Sequence, residues 1–150
     1  MRTNFLRFLS ELTGIDGLLS DPFFNGGGIH RTSNGGHLNI HSDYVFHGTT
    51  KWYRRINLLL YLTPNWQEEW GGNLELWETD MSSKAKDVLP IQNRAIIFNT
   101  TTKSFHGHPQ PLQCPDDIYR YSIALYYFTI EPPDDLSEDE LHTSAQWKYI

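Results

Sequence analysis

The sequence predicts a mainly β domain, a sandwich or barrel with short helices added at its N-terminus, and three observations carry this prediction. Short apolar or alternating runs rich in Ile, Leu, Tyr, Phe and Trp recur at residues 37–44, 54–62, 73–77, 95–98 and 121–130. Gly, Pro, Asn and Asp bound these runs, as they commonly bound strands. The chain has 150 residues, of which 39% are hydrophobic, so it can bury the core of one domain.

The N-terminal residues have helical rather than strand-like spacing. Apolar side chains recur at helical intervals over residues 4–12, namely Phe5, Phe8, Leu9 and Leu12. A second helical turn is expected over residues 15–20, ending at Asp21-Pro22. We therefore predict one domain composed of a helical segment at residues 1–25, a β core at 26–130 and a C-terminal tail at 131–150. In the tail, Trp147 and Tyr149 are expected to fold back onto the body.

The composition of the chain limits the kinds of molecule and the cellular compartment that it is expected to meet. The formal charge of -6 argues against nucleic acid, because proteins that bind phosphate backbones usually present a basic face. The single cysteine, Cys114, cannot form an internal disulfide, which fits a reducing compartment. No apolar run approaches the length of a membrane span. We expect a cytoplasmic protein without a nucleic-acid or membrane partner, and the sequence leaves its oligomeric state open.

A group of metal-ligating side chains lies on the first predicted core strand. If residues 37–43 form a strand, His37, Asn39, His41 and Asp43 alternate onto one face, and Leu38 lies on the other. Such a polar face is costly to bury unless it binds something. His41 and Asp43 could thus present one nitrogen and one oxygen to a single ion. The alternative is an ordinary strand whose polar residues face water.

A third ligand must come from another part of the chain. Residues 104–109 follow an apolar run and contain two histidines, His106 and His108. Two histidines and one carboxylate form the facial triad of non-haem Fe(II) oxygenases, which leaves coordination positions open. On ligand type alone, zinc or magnesium sites remain alternatives.

Several motifs, in order, resemble the prolyl-4-hydroxylase-like branch of the 2-oxoglutarate/Fe(II) oxygenases. The motifs are GGHLNIHSDY at residues 35–44, RRINLLLYL at 54–62, EWGGNLEL at 69–76, HGHP at 106–109 and RYS at 120–122. The resemblance extends over roughly residues 26–129. It implies a double-stranded β-helix, or jelly roll, with helices packed outside, in agreement with the strand pattern.

The resemblance also assigns the site residues. His41, Asp43 and His106 match the iron ligands, and His108 is then a neighbour outside the first coordination sphere or at the entrance. Four further residues are implied at the co-substrate: Arg120 and Tyr61 at the remote carboxylate of 2-oxoglutarate, Ser122 as an assisting hydroxyl, and Asn57 on the same strand face as Tyr61. Two features depart from the family: Arg120 follows His106 by fourteen residues, and Thr32 stands where a tyrosine is usual.

The function implied by the resemblance is hydroxylation. Fe(II), 2-oxoglutarate and dioxygen are the implied cofactors, with ascorbate as an optional accessory reductant. Relatives that halogenate replace the carboxylate ligand with a small residue, so Asp43 favours hydroxylation. The substrate is left open as a small molecule or a peptide, for example a prolyl residue or a free amino acid. The alternatives are a cupin-type metal-binding jelly roll that does not use 2-oxoglutarate and a binding module without activity.

The loop that follows the metal strand is the candidate substrate mouth. Residues 45–53 contain Gly, Thr and aromatic residues, and functional residues often lie on loops over a rigid scaffold. His47, Lys51 and Trp52 are therefore expected to line the pocket.

Overall fold

The computed structural model describes residues 4–134, 136–137, 140 and 144–148. In chain order the elements are α1 Asn4–Thr13, β1 Leu19–Ser20, β2 Gly28–Thr32, β3 Leu38–Ser42, β4 Tyr53–Tyr61, a 3-10 turn Glu68–Trp70, β5 Leu74–Trp77, β6 Lys84–Val88, β7 Ala95–Asn99, β8 His106–His108, β9 Arg120–Thr129 and β10 Gln146–Lys148. The predicted mainly β architecture is confirmed, and each of the five runs identified in the sequence contains a strand.

Two five-stranded antiparallel sheets form the core. In the first, β1 and β2 both pair with β9, which pairs with β4, and β4 pairs with β7. In the second, the order is β10-β3-β8-β5-β6. The candidate metal strand β3 is thus in the second sheet, whereas the candidate co-substrate residues on β4 and β9 are in the first. A site that uses both must lie between the sheets.

The alternation along β4 separates the hydrophobic core from the site. Ile56 and Leu58 face outward and pack with Leu9 of α1 and with Tyr127 of β9. Burying such side chains contributes about 1.5–3 kcal/mol each. The intervening residues, including Asn57, face the space between the sheets. One face of the strand therefore holds α1 on the outside, and the other face is available for polar chemistry.

One detail of the N-terminal prediction is wrong. Residues 15–20 form a turn followed by β1 rather than a second helical turn, because the chain there gains backbone hydrogen bonds to β9. The helix α1 exists, but it rests on the sheet through Leu6 and Leu9, and Phe5, Phe8 and Leu12 remain about half exposed.

The C-terminal tail returns to the body as predicted for Trp147. Strand β10 pairs with β3, with Trp147 opposite His41. Tyr149 lies outside the described residues. Within the described part of the chain, no helix is long and apolar enough to cross a membrane.

Candidate active site

The three predicted metal ligands meet in space. His41 lies in β3, Asp43 follows the end of that strand, and His106 begins β8, which pairs with β3 so that His41 and His106 are opposite each other. One ligand atom from each of the three lies within 4.8 Å of the others. The Nε2 atom of His41 is 3.8 Å from Asp43 Oδ1, and that of His106 is 3.5 Å from Asp43 Oδ2.

The backbone fixes how each histidine presents its lone pair. Nδ1 of His41 is 3.0 Å from the carbonyl of Asn39, and Nδ1 of His106 is 2.9 Å from the carbonyl of Ser104. A carbonyl can only accept, so each Nδ1 carries the proton and each Nε2 keeps its lone pair facing Asp43. Burial lowers the pKa of His106 to about 4, and this outweighs the raising effect of Asp43. Both rings therefore direct Nε2 toward a metal, and His106 is neutral at neutral pH.

The carboxylate of Asp43 is held by two side chains. Oδ2 accepts hydrogen bonds from Arg54 Nη2 at 2.9 Å and from Asn57 Nδ2 at 2.7 Å. Burial alone would raise the pKa of Asp43, but Arg54, His106, the Asn57 hydrogen bond and His41 together lower it below its ordinary value. Asp43 is thus ionised, as a metal ligand must be.

A β-bulge in β3 changes which side chains face the site. Leu38 pairs with His108 and His41 with His106, so two residues of β3, Asn39 and Ile40, lie opposite one residue of β8, Gly107. The strict alternation expected from the sequence is therefore wrong here: Leu38 lines the cavity beside His41, and Asn39 is not among the lining residues. A bulge adds one residue and re-aims the side chains that follow it. The bulged carbonyls approach Gly107 so closely that an added Cβ would lie 2.7 Å from the carbonyl oxygen of Leu38.

A second bulge, in β4, brings Arg54 to the site. Arg54 pairs with Phe128, but Ile56 pairs with Tyr127, so the register shifts between them. As a result Arg54 and Asn57, three residues apart, both point inward. Arg54 was not among the site residues predicted from the sequence. Its one available signal was a cation at the start of an otherwise apolar run.

The metal ligands and Arg120 line one cavity of about 330 Å³ between the two sheets. Fourteen residues line it, namely His30, Thr32, His37, Leu38, His41, Asp43, Asn57, Leu59, Leu74, His106, His108, Arg120, Ser122 and Tyr126. The pocket therefore contains both ends of the predicted site, with apolar side chains between them.

Arg120 is a buried cation with neutral partners. Only 6% of its surface is exposed. Its Nε donates to the carbonyl of Gly72 at 2.9 Å, and its Nη2 donates to the Tyr61 hydroxyl at 3.3 Å. Burial lowers the pKa of Arg120, opposed by Tyr61, and none of the described carboxylates acts on it. Ser122 is two residues further along β9 and pairs with Tyr61, so three of the four predicted co-substrate residues lie together.

Asn57 lies at the other end of the cavity from this group. The resemblance implied that Asn57 shares the ligand of Arg120, but its Nδ2 donates to Asp43 and its Oδ1 accepts from Arg54 Nε at 2.9 Å. The geometry corrects that expectation. Strand β4 runs along the whole site, so Asn57, four residues before Tyr61, lies beside the metal ligands.

His108 shares the cavity with the metal ligands without joining them. It is buried and faces the same side of β8 as His106, and burial, followed by the effect of Arg120, lowers its pKa to about 3. Its Nδ1 has no hydrogen-bond partner among the described residues. His108 is thus a neutral side chain in the pocket wall.

The loop over residues 45–53 does not line the cavity. His47, Lys51 and Trp52 are absent from its wall, so the prediction that they contact substrate there is wrong. His47 is 2% exposed, and its Nδ1 accepts from the backbone amides of Thr49 and Thr50 at 3.2 Å. The ring organises its own loop, because an amphipathic side chain in a tight turn can satisfy nearby amides.

The donor set fits Fe(II). Two neutral imidazoles and one carboxylate, all reaching one point from adjacent strands, are the ligands of non-haem iron oxygenases. Their backbone and side-chain hydrogen bonds supply the outer support that orients such ligands. At the far end of the cavity, the unpaired Arg120 fits a carboxylate of 2-oxoglutarate.

Comparisons with known proteins agree with this site. The profile of the 2OG-Fe(II) oxygenase superfamily matches residues 27–128, more than half of the chain. Prolyl 3-hydroxylase OGFOD1 of Mus musculus is 32% identical over 79 residues, which cover 50% of this chain and 14% of that protein. OGFOD1 of Xenopus laevis is 30% identical over 78 residues, covering 49% and 15%. The chain therefore spans only a small part of the length of these curated relatives.

Solved structures show the fold. A prolyl 4-hydroxylase from Phytophthora capsici matches with a TM-score of 0.59 at 20% identity, covering 91% of this chain and 45% of that one. A prolyl hydroxylase from Trichoplax adhaerens, solved with a hypoxia inducible factor peptide fragment, matches with a TM-score of 0.52 at 23% identity, covering 75% and 44%. The predicted double-stranded β-helix is confirmed by this likeness. With its superfamily profile matched over most of the jelly roll, the chain belongs to the 2OG-Fe(II) oxygenase superfamily.

Proposed function

We propose that this protein is an Fe(II)- and 2-oxoglutarate-dependent hydroxylase. One observation carries the proposal: a single cavity has three convergent metal donors in one part of its wall and a buried, unpaired guanidinium in another. A buried charge without a counter-charge is costly, so such an arginine favours an anionic ligand. 2-Oxoglutarate meets both requirements, because it chelates iron through its 2-oxo and 1-carboxylate oxygens and carries a second carboxylate for Arg120.

The chain's own residues hold, orient and shield the reactants. His41, Asp43 and His106 would hold the metal from one side and leave the other side open. Arg120 would bind the remote carboxylate through its planar fork, which matches two carboxylate oxygens. When bound, Fe(II) with 2-oxoglutarate and dioxygen supplies the oxidising power to convert a C–H bond to C–OH, with release of succinate and carbon dioxide. Leu59 and Leu74 would exclude water from the pocket.

For the substrate we propose a prolyl residue of a peptide. The support is the similarity to relatives named prolyl hydroxylases, one of which was solved with a peptide fragment. A free amino acid is the second candidate. The described wall of the cavity has no unpaired cation besides Arg120 that could bind the free carboxylate of an amino acid, which favours the peptide.

The test begins with anaerobic protein, Fe(II) and 2-oxoglutarate. A metal-to-ligand charge-transfer band is expected on addition of 2-oxoglutarate, and a cupin-type site that does not use it would show metal binding without the band. Turnover with a panel of proline-containing peptides and free amino acids should then yield succinate and a product heavier by one oxygen atom. Absence of the band in protein loaded with stoichiometric Fe(II) would refute the proposed function.

A further inference from the structure

Arg54 is a buried cation beside the metal-ligand carboxylate. Only 1% of its surface is exposed. Its guanidinium carbon lies 3.5 Å from the centre of the Tyr126 ring and 4.9 Å from that of Tyr44. Nη2 donates to Asp43 Oδ2 and Nε donates to Asn57 Oδ1, each at 2.9 Å. The two aromatic rings and the two hydrogen bonds together hold the guanidinium in place beside Asp43.

Asn57 completes the arrangement at the same carboxylate oxygen. Its Nδ2 donates to Asp43 Oδ2 at 2.7 Å, and its Oδ1 also accepts from the Thr100 hydroxyl at 3.2 Å. A carboxylate oxygen has two lone-pair sites. The two donors from Arg54 and Asn57 therefore occupy both sites of Oδ2. Among the described residues, no hydrogen-bond donor engages Oδ1, which faces the Nε2 atom of His41 at 3.8 Å. Oδ2 lies 3.5 Å from the Nε2 atom of His106, but both of its lone-pair sites already accept hydrogen bonds.

We propose that Arg54 is a positioning residue that, with Asn57, commits Oδ2 of Asp43 and leaves Oδ1 as its one metal donor. This inference rests on the proposed function in one respect, namely the number of metal coordination positions that 2-oxoglutarate and dioxygen need. Three protein donors leave three of six octahedral positions. Two of these serve the chelating end of 2-oxoglutarate and one serves dioxygen. If Asp43 bound through both oxygens, one of these positions would be lost.

The neighbouring arginine shows that the arrangement is specific to one position. Arg55 follows directly in the chain, yet its Nη1 donates to the Thr129 hydroxyl at 3.2 Å and it does not line the cavity. The register shift after Arg54 turns the two side chains to different environments. Arg55 is therefore a matched control: it has the same charge and is adjacent in sequence, but it has no contact with Asp43.

Mn(II) provides a test that does not depend on turnover. The relaxation rate of water protons reports how many water molecules bind the ion in the metal-loaded protein. With a monodentate Asp43 the count is three, and with a bidentate Asp43 it is two, so the metal-dependent relaxation should fall by about one third in Arg54→Met. Arg54→Lys, which keeps a charged donor near Oδ2, should restore the value toward wild type, and Arg55→Met should leave it unchanged.

A second variant guards against a failure of Arg54→Met to fold. Asn57→Leu removes the other donor to Oδ2 but keeps the Arg54–Asp43 pair, and it should lower the water count in the same direction. The affinity of Mn(II)-loaded Arg54→Met for 2-oxoglutarate should also fall by roughly tenfold or more, equal to about 1.4 kcal/mol.

The proposal is overturned if folded Arg54→Met, or folded Asn57→Leu where Arg54→Met does not fold, retains the wild-type water count at saturating Mn(II). A lower count restored by Arg54→Lys supports it. The water count is measured without 2-oxoglutarate, so it decides the role of Arg54 even if wild-type protein does not bind that ligand, a result that would instead refute the proposed function.

Discussion

Replacing Arg120 with methionine should separate ligand binding from folding. The guanidinium has neutral partners, the carbonyl of Gly72 and the hydroxyl of Tyr61, and it is 6% exposed. Methionine has a similar length and no charge, so it can fill most of the same volume. The substitution therefore removes a buried charge and two hydrogen bonds, and it tests whether the charge serves the fold or a ligand.

The two effects on stability oppose each other. Hydrogen bonds to a charged group contribute about 1.5–3 kcal/mol each, so the loss of two costs roughly 3–6 kcal/mol. Burying a charge costs several kcal/mol, and Arg120→Met recovers that cost. The free energy of unfolding of the ligand-free protein should consequently change by no more than about 2 kcal/mol. In contrast, a dianion that loses a buried charged partner typically loses about 2–5 kcal/mol of binding free energy, or at least roughly thirtyfold in affinity.

Thermal unfolding with and without 2-oxoglutarate measures both quantities. A ligand at one hundred times its dissociation constant stabilises the folded state by about 2.7 kcal/mol. For a chain of this size each kcal/mol raises Tm by about 2–4 °C, so metal-loaded wild type should gain roughly 5–11 °C. Arg120→Met should gain almost nothing at the same concentration. Arg94→Met is the control, because Arg94 is only partly buried and donates to the carbonyl of Leu89. An undiminished ligand-induced shift in Arg120→Met would refute the role of the guanidinium.

Two further predictions concern the histidines of β8. His106→Ala removes a metal donor and should abolish stoichiometric Fe(II) binding in equilibrium dialysis, whereas His108→Ala, two residues away on the same strand face, should retain it; the reverse result would show that the ligand is misassigned. The metal-free protein should unfold on acidification between pH 6.5 and 3, because pKa values of about 4 for His106 and 3 for His108 make the unfolded state bind more protons in that range. At about 1.4 kcal/mol per pKa unit, the loss of folding free energy is roughly 3 kcal/mol for His106 and 5 kcal/mol for His108. Circular dichroism in the presence of a chelator should show full stability above pH 6.5 and a loss of stability below it. A fold that persists at pH 3 would contradict the burial of these rings.

The sequence predicted the residues of the site better than their environment. His41, Asp43, His106 and Arg120 lie where the motifs and the strand alternation indicated, because a side chain at the end of a strand that pairs with its neighbour has few directions available. Leu38 was assigned to the wrong face. A bulge is created by the mismatch between two strands, β3 and β8, and neither strand alone contains that information.

Arg54 was missed and His47 was misinterpreted for a related reason. Arg54 stands beside Arg55 and near Lys51, which is the composition of a solvated basic cluster, and only the register of β4 against β9 shows that it turns inward. His47 stands among Gly and Thr residues in a loop, a setting typical of a binding loop, yet its ring nitrogen satisfies amides of the same turn. In both cases the partner that decides the role becomes adjacent only after the chain has folded.

The charges around the cavity connect these observations. The two histidines are arranged as neutral ligands, Asp43 carries a negative charge that Arg54 balances at 2.9 Å, and Arg120 contributes a positive charge with no acidic partner in the described chain. Before any ligand binds, the site therefore has an excess of one positive charge, located around the Arg120 guanidinium. A divalent metal at the three ligands increases that excess, which opposes metal binding unless a dianion follows. The dianion binds more tightly once the metal is present, and the same coupling free energy must strengthen metal binding when the dianion is present. Arg54 is paired with the metal-ligand carboxylate, whereas Arg120 is unpaired. This arrangement favours binding of the metal and the dianion together over binding of either one alone.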